Sequence, residues 1–317
     1  MTAPPARAHP VPTARDHTAL FYRDHDEYLD CVAAFVREGV LGGESVTVAV
    51  PAPNLGPLRD RCADDGVGER VRWLDIADVG GNPGRLVPAV LHPVLHLGAR
   101  VVTEVVWPGR APMAYPSCVR YEALTNSLLD GRAVRVLCPY DARRLHPREL
   151  ADALATHPGV LEHGARRPSP GYAPQVALET YNQPFPDTTE TAVELEVDSG
   201  RLANARGLAG ERARAVGLDE EQAGDVALVV TELLTNSVEH GGGAAVLRLW
   251  ADAGGLVCEV RDRGRLVDQL AGLRPAPHDQ PNGRGLLLVN TLADLVAVHT
   301  GAGGTTIRAH FARRTGA

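Results

Sequence analysis

The sequence predicts an α/β protein of two domains, in which a three-layer domain around a mostly parallel sheet precedes a two-layer α/β sandwich. Three observations favour this fold class: strand-length apolar runs alternate with helical segments up to residue 165, a proline-rich stretch follows, and helices with hairpins come after it. The 317 residues are enough to bury two hydrophobic cores. We therefore expect a first domain at 14–165, a linker at 166–190 and a second domain at 191–313.

The predicted strands of the first domain are apolar almost throughout, which is typical of a sheet buried on both faces. They cover Ser45–Val50, Val71–Ile76, Arg100–Trp107 and Ala133–Cys138. The predicted helices lie between them, at Asp26–Val40, Leu55–Asp65, Arg85–Leu97 and Pro116–Leu129. Because parallel neighbours need a crossover connection, this alternation predicts a parallel sheet covered by helices.

The predicted linker is marked by its prolines. They are Pro168, Pro170, Pro174, Pro184 and Pro186, with Gly171 and several hydroxyl residues among them. Such a run cannot hold a long helix or a central strand, so we interpret it as an inter-domain connection.

The second domain has a different order of elements. The predicted helices are Arg201–Val216, 219–240 and Gly285–Ala293, and the predicted strands are Ala192–Val197, Ala245–Ala251, Leu256–Asp262, Leu295–His299 and Thr305–Phe311. Asp219 with Gln222 three residues later forms a capping box for the long helix, and Gly254-Gly255 predicts a hairpin turn. This order predicts a mixed sheet with helices on one face.

Composition excludes several classes of protein. The chain has 32 basic and 39 acidic residues, a net charge of −7, which argues against a dedicated nucleic-acid binder. It contains no lysine, so it has no Walker A lysine, no protein-kinase strand lysine and no pyridoxal Schiff-base lysine.

The cysteines and the first residues predict a cytoplasmic protein. The five cysteines show no C-x-x-C spacing, which favours reduced thiols. The first 13 residues are rich in proline and alanine without an apolar core, so we expect a disordered tail and no secretion signal. No stretch approaches the ~20 apolar residues of a membrane span, so we expect no membrane partner.

Three polar side chains recur every fourth residue on the long helix of the second domain. Glu232, Asn236 and His240 share one face, opposite a stripe of valines and leucines. Asparagine offers a neutral oxygen to a hard cation, and glutamate can accept a proton. A solvated polar face would give the same triplet, so the helix alone does not decide.

Further polar and glycine-rich positions follow in order along the chain. Asp262 and Gly264 end a predicted strand, and Asn282-Gly283-Arg284-Gly285-Leu286 leads into a helix whose free N–H groups could meet phosphate. Arg284 is the nearby cation for such a phosphate, and Thr305 on the last strand could hydrogen-bond a base. Each of these, taken alone, could equally be an ordinary turn.

The order and spacing of these motifs resemble the GHKL (Bergerat) ATP-binding fold. The helix ending Glu-Leu-Leu-Thr-Asn-Ser-Val-Glu-His-Gly is most similar to that of the anti-sigma-factor serine kinases of bacterial partner switching, over about Ala192 to Phe311. The resemblance implies ATP and Mg²⁺ as cofactors, a sigma factor and an anti-anti-sigma (STAS) protein as partners, and allows a homodimer.

The resemblance also implies roles for individual residues. Asn236 would bind Mg²⁺, Asp262 would recognise the adenine amino group beside Gly264 and Thr305, and Glu232 would be the general base for the substrate serine. The phosphate-side loop would comprise Gly283, Arg284, Gly285 and Leu286, with residues 265–282 as the ATP lid. Many relatives have another glycine after Asp-x-Gly, where this chain has Arg265-Leu266, and prolines interrupt the lid. Both departures lie in the nucleotide-binding loops, outside the elements that define the fold.

The first domain resembles the MEDS sensory domain. The similarity lies in His17–Tyr22, in Glu104-Val-Val-Trp107, and in the strand that ends Leu137-Cys138-Pro-Tyr140-Asp141. It implies a RecA/Rossmann-like fold that senses a small molecule. Because parallel sheets bind ligands at strand ends, His17, Glu104 and Cys138 become candidate sensory-ligand residues. The alternative is that these three side chains cap and pack.

Two functions remain open from the sequence. The first is an ATP-dependent serine kinase that acts on a STAS protein and sequesters a sigma factor under the control of the sensory domain. The second is a non-catalytic ATP-dependent anti-sigma or adaptor module with the same sensor. A two-component histidine kinase is disfavoured, because no dimerisation hairpin with a phosphoacceptor histidine precedes residue 192.

Overall fold

The computed structural model of the chain describes residues 16–96, 98–187, 191–252, 254–274 and 284–314. The chain forms two compact units. The first comprises Met1–Ile76, Pro93–Pro108 and Thr125–Pro174, and the second comprises Ala77–His92, Gly109–Leu124 and Gln175–Ala317. The predicted domain limits at 14–165, 166–190 and 191–313 stay a prediction about the organisation of the sequence.

The first unit is built on a seven-stranded sheet. Its strands are β1 (Asp16–Tyr22), β2 (Ser45–Val50), β3 (Val71–Asp75), β4 (Ala99–Thr103), β5 (Val134–Asp141), β6 (Gly159–Glu162) and β7 (Ala165–Pro168). Their order across the sheet is β3-β2-β4-β5-β1-β6-β7. All neighbours pair in parallel except β6 and β7, which confirms the predicted mostly parallel sheet.

Five α-helices precede β6 in the described part of the chain. They are α1 (His25–Leu41), α2 (Ala52–Asp64), α3 (Ile76–Gly80), α4 (Tyr115–Leu128) and α5 (Pro147–Thr156). Asp24 caps α1 by accepting a hydrogen bond from the amide of Glu27. Tyr28, Val32 and Val36 recur every fourth residue and form the buried face of this helix. These side chains form one core with apolar residues of α2 and of strands β1 to β5.

One predicted helix of the first domain is wrong. In place of one α-helix at Arg85–Leu97 the chain forms short 3-10 segments at Pro83–Arg85 and His92–Val94 and a π-helical segment at Val87–Leu91. Leu97 lies outside the described residues. Pro88 and Pro93 explain the difference, because each lacks the N–H that an α-helix needs in its interior. The predicted strand Arg100–Trp107 is also shorter, since β4 ends at Thr103.

The C-terminal part of the second unit, from about residue 174, is a two-layer sandwich. Its helices are α6 (Pro174–Thr180), α7 (Leu202–Ala215), α8 (Glu220–His240) and α9 (Gly285–Leu292), and its strands are β8 (Val193–Asp198), β9 (Ala244–Asp252), β10 (Gly255–Asp262), β11 (Leu295–Gly301) and β12 (Gly304–Ala312). The strand order is β11-β12-β10-β9-β8. Every pairing in this sheet is antiparallel among the described strands, where the sequence had predicted a mixed sheet.

The core of this sandwich lies between α7 to α9 and one face of the sheet. Leu247, Leu256, Cys258 and Val260 contribute from the strands, together with the apolar stripe of α8. The opposite face of β10 carries the buried carboxylate of Glu259, which accepts a hydrogen bond from Nε of Arg308. Strand alternation therefore separates an apolar face under the helices from a face that carries charge.

The predicted linker contains local structure. β7 pairs with β6 as an edge strand, and α6 spans seven residues. Further along, the Phe185 ring lies 4.5 Å from the Arg308 guanidinium, and the carbonyl of Pro186 accepts a hydrogen bond from that guanidinium. In the described part of the chain, no helix is both long and apolar enough to cross a bilayer.

Candidate functional site

The site is built on α8, whose start and exposed end are fixed by local sequence. Asp219 accepts a hydrogen bond from the amide of Gln222, and the Gln222 side chain accepts one from the amide of Asp219, which closes the predicted capping box. The apolar stripe of Val226, Val230 and Leu234 is buried against the sheet. Glu232 and Asn236 lie one turn apart on a half-buried face beside this stripe.

A cavity of about 500 Å³ opens between α8, the end of β10 and the start of α9. It is lined by all of the described residues that the sequence singled out in this domain, namely Glu232, Asn236, Asp262, Gly264, Arg284, Gly285, Leu286 and Thr305. His240 lies at its edge, exposed at the end of α8. Gly283 lies outside the described residues. The structure brings the candidates together, while their roles stay predictions.

The carboxylate of Asp262 is held in one orientation at the end of β10. Its Oδ2 accepts a hydrogen bond of 2.6 Å from the Ser237 hydroxyl, and its Oδ1 accepts one of 2.7 Å from the amide of Gly264. Each oxygen keeps a further lone pair for a donor in the cavity. Sequence reasoning missed Ser237, although it directly follows Asn236 on the helix.

Close backbone approach explains two glycines beside Asp262. A Cβ on Gly241 would lie 2.5 Å from Cγ of Asp262, and a Cβ on Gly264 would lie 2.7 Å from the Cα of Gly241. Any side chain at either position would push the end of α8 away from the end of β10. The Asp-x-Gly motif is therefore required for the packing of these two elements as well as for the shape of the cavity.

Glu232 and Asn236 face the start of α9. A Cβ on Gly285 would lie 2.6 Å from Oε2 of Glu232 and 3.3 Å from Nδ2 of Asn236, so a side chain there would displace the Glu232 carboxylate. Nδ2 of Asn236 is buried and has no hydrogen-bond partner among the described residues. A buried amide without a partner costs free energy, which favours a ligand at this point of the cavity.

The phosphate-side candidates surround the first turn of α9. Arg284 is the N-cap residue of this eight-residue helix, and Gly285 and Leu286 are its first two residues. The first amides of a helix have no partner within it, and they present partial positive charge. This arrangement can bind an anion that reaches the floor of the cavity.

Thr305 joins the last strand to the chain after Asp262. Its hydroxyl donates to the carbonyl of Gly264 at 2.9 Å and accepts from the amide of Leu266 at 3.2 Å. The predicted lid is described only over 265–274, and residues 275–282 lie outside the described part of the chain. Within the described part, Asn290 donates to the carbonyl of Gly272 and so ties the lid to α9.

The three sensory-ligand candidates of the first unit fall into two groups. His17 and Cys138 are buried together, with Nε2 of His17 3.4 Å from Sγ of Cys138. Glu104 belongs to a different group, although the neighbouring Thr103 contacts Cys138 at 3.3 Å. Because successive residues of an extended chain point to opposite sides, Glu104 turns toward α1 and α2 instead.

Glu104 is a buried carboxyl surrounded by hydrogen-bond donors. Its oxygens accept hydrogen bonds from the hydroxyl of Tyr28 at 3.1 Å, the amide of Asn54 at 2.9 Å and, at 3.5 Å, the hydroxyl of Tyr22. Burial raises the pKa of Glu104 to about 7, and the donors oppose this rise. The structure therefore holds a carboxyl that changes charge near neutral pH.

We expect Glu104→Gln to flatten the pH dependence of stability. The pKa of about 7 lies above the ordinary 4.5, so the folded state holds the proton more tightly, and stability falls as pH rises from 4.5 through 7. At 1.36 kcal/mol per pKa unit the wild type should lose about 3 kcal/mol relative to the variant across this window. Urea unfolding of both proteins at pH 5 and pH 8 measures the difference, and parallel pH profiles would contradict the assignment.

Two family models match separate parts of the chain. Residues 16–158 match the family model of the MEDS domain, described as the methanogen/methylotroph DcmR sensory domain. Residues 195–311 match the model of the histidine kinase-like ATPase domain. These matches confirm the two predicted domain types.

Among the solved structures that match part of this chain is one mycobacterial protein. It contains the RsbU and RsbW domains of Rv1364c from Mycobacterium tuberculosis, at 22% sequence identity and a TM-score of 0.30. The match covers 40% of this chain and 34% of that chain, so this chain spans about a third of the structure it matches.

Proposed function

We propose that this chain is an ATP-dependent serine kinase that phosphorylates an anti-anti-sigma (STAS) protein, binds a sigma factor, and is controlled by its MEDS domain. The observation that carries the proposal is the cavity that gathers Glu232, Asn236 and Asp262 beside the first turn of α9. Phosphoryl transfer from ATP needs a group that accepts the proton of the nucleophile and groups that bind the phosphate charge. A carboxylate, an amide and a helix N-terminus in one cavity can supply them.

The residues of the cavity fit ATP with Mg²⁺. The side-chain oxygen of Asn236 would hold the cation, while its unpartnered Nδ2 would donate a hydrogen bond to the nucleotide. The oriented carboxylate of Asp262 would accept a hydrogen bond from the adenine amino group. When bound, Mg²⁺ would neutralise phosphate charge. The space left by Gly285 would let phosphate approach the first amides of α9.

Glu232 has the position of a general base. It lies one helical turn before Asn236 and borders the same space at Gly285. A carboxylate there can accept the proton of a serine hydroxyl while the amides of α9 and Arg284 bind the phosphate oxygens. Glu232 therefore accepts the proton of the serine hydroxyl, and the residues around α9 stabilise the negative charge of the phosphate.

Arg284→Ala should weaken ATP binding by about 1–3 kcal/mol, the size expected for one charge-assisted phosphate contact. Calorimetric titration of the full chain with ATP measures the loss. Arg263→Ala provides a control, because Arg263 is an arginine close to Asp262 that is not among the residues lining the cavity. If Arg284→Ala weakened binding to the protein partners and left ATP binding unchanged, Arg284 would belong to the partner-binding surface instead of the nucleotide site.

Contacts within the second unit offer a route by which the sensory domain could influence the ATP site. Residues 77–92 belong to this unit and to the range matched by the MEDS model. Arg85 donates to the carbonyls of Asn290 and Ala293 at the end of α9, at 3.1 and 2.8 Å. A cation is favoured there because the last carbonyls of a helix lack partners and carry partial negative charge. The other end of the same helix borders the cavity.

Arg85→Ala is expected to loosen the end of α9. Loss of hydrogen bonds to a charged group costs about 1.5–3 kcal/mol, so amide hydrogen exchange in the last turn should accelerate by roughly 10- to 100-fold. Arg201→Ala is the matched control, because Arg201 also donates to a backbone carbonyl, that of Glu196, away from α9. Equal exchange in both variants would show that α9 does not depend on Arg85.

The second candidate function is an ATP-dependent anti-sigma or adaptor module without phosphotransfer. It is favoured by Arg265-Leu266, which stand where many relatives have another glycine after Asp-x-Gly. Here the amide of Leu266 is hydrogen-bonded to the hydroxyls of Thr300 and Thr305, so this part of the lid is tied to the sheet. A lid fixed in this way would bind nucleotide and still lack the closure that transfer needs.

The kinase is tested by incubating the full chain with γ-labelled ATP and a panel of purified STAS proteins. The proposal expects label on a serine of at least one of them, in a reaction that requires Mg²⁺. ATP binding without label on any STAS protein would support the adaptor module instead.

A further inference from the structure

Three buried side chains of the first unit meet between the sheet and its helices. His17 lies near the start of β1, Cys138 lies on β5, and His157 directly follows α5. All three are fully buried, and one ligand atom of each lies within 4.8 Å of the others. β1 and β5 pair so that Ala19 is opposite Cys138, which places His17, two residues earlier, on the same face as the thiol.

The hydrogen bonds of His17 fix its tautomer. Nδ2 of Asn126 donates to the carbonyl of Thr156 at 2.7 Å, so the Asn126 oxygen is the atom that faces the imidazole. That oxygen lies 3.3 Å from Nδ1 of His17 and can only accept, so Nδ1 carries the proton. The lone pair is then on Nε2, which is the nitrogen 3.4 Å from Sγ of Cys138.

The same reasoning applies to His157. Its Nδ1 lies 2.9 Å from the carbonyl oxygen of Ala153, which can only accept a hydrogen bond. Nδ1 is therefore the protonated nitrogen of the neutral ring, and Nε2 carries the lone pair. Both histidines thus use Nδ1–H on an oxygen acceptor, which is the arrangement found for most metal-ligating histidines.

The sulfur also has a supporting group. The hydroxyl of Thr103 lies 3.3 Å from Sγ of Cys138. Once the thiol has lost its proton, this hydroxyl can only be the donor, and a donated hydrogen bond stabilises a thiolate. Each of the three side chains therefore has a second group that orients it.

We propose that His17, Cys138 and His157 bind a transition-metal ion, with Zn²⁺ as the representative species. Two imidazole nitrogens and a thiolate suit Zn²⁺ and related borderline ions, whereas Mg²⁺ and Ca²⁺ prefer oxygen ligands. Binding would release the thiol proton to solvent and form one metal–sulfur and two metal–nitrogen bonds. The site would tie β1, β5 and the end of α5 together in the sensory half of the chain.

The test uses the full chain, stripped of metal with a chelator and titrated with Zn²⁺ or Co²⁺. We expect one ion per chain at this site, and with Co²⁺ a thiolate-to-metal charge-transfer band. Cys138→Ala should abolish the band. Cys62→Ala is the matched control, because Cys62 is an equally buried thiol of the same unit outside the cluster, and it should leave the band unchanged.

Thr103→Val keeps the proposal testable if Cys138→Ala does not fold. It retains the three ligands and removes only the supporting hydroxyl, so Zn²⁺ affinity should fall by about 10- to 100-fold. A wild type without a charge-transfer band would overturn the proposal, and so would a band that persists in a folded Cys138→Ala. Unchanged Zn²⁺ affinity in Thr103→Val would contradict the proposed hydrogen bond from the Thr103 hydroxyl to the Cys138 thiolate.

Discussion

Glu232→Gln is expected to reduce phosphotransfer to the STAS substrate by about 10²–10⁴-fold while ATP binding remains. The amide keeps the shape of the side chain and its capacity to hydrogen-bond, but it cannot accept a proton. The change leaves the space at Gly285 as it is, so the fold and the cavity should be retained. Initial rates of label transfer and calorimetric ATP binding, measured on the same preparation, separate chemistry from affinity.

The control for this variant lies on the same helix. Glu221 is an exposed glutamate in the first turn of α8, where it pairs with Arg314 outside the cavity. Glu221→Gln should transfer phosphate at the wild-type rate. Equal rates in wild type and Glu232→Gln would remove Glu232 from the role of base.

ATP binding should collapse in Asn236→Ala and in Asp262→Ala. The first change removes the amide that would hold Mg²⁺, and the second removes the acceptor that would recognise adenine. Loss of a buried hydrogen-bonding partner costs about 1–3 kcal/mol and more where charge is involved, so we expect at least ~10- to 100-fold weaker binding for each variant. Calorimetry with ATP and Mg²⁺ measures both.

Asp198 provides a matched control for Asp262. Both aspartates end a strand in an Asp-x-Gly sequence, and in both the carboxylate accepts a hydrogen bond from the glycine amide two residues later. Asp198 does not line the cavity. Asp198→Ala should therefore bind ATP like the wild type, whereas unchanged affinity in both Asn236→Ala and Asp262→Ala would refute the assignment of the site.

The elements around the cavity could be predicted because their signals are local. Each signal acts within a few residues: the capping box at Asp219, the four-residue spacing of Glu232 and Asn236, and the glycine pair at 254–255. Long-range contacts were out of reach. Ser237 orients Asp262 from 25 residues away, and no local pattern marks a serine for that role.

The first predicted domain, 14–165, was harder to predict for identifiable reasons. Pro88 and Pro93 break a segment whose apolar spacing is helical. The helix α5 was not predicted at all, because its N-cap is His146, a residue type outside the usual N-cap set, although Glu149 completes the capping box. β1 was not among the predicted strands, although its residues carry part of the MEDS resemblance. The contact between His17 and Cys138 depends on strand register, which the sequence does not reveal.

Nucleotide selectivity of the unmodified full chain tests most directly the claim that the cavity is an adenine nucleotide site. Competition calorimetry with ATP and GTP in the presence and absence of Mg²⁺ provides the measurement. The account predicts one ATP per chain, dependence on Mg²⁺, and GTP binding about 10- to 100-fold weaker, because the guanine oxygen would face the Asp262 carboxylate without a hydrogen to donate. Equal affinity for the two nucleotides, or no ATP binding at all, would contradict it.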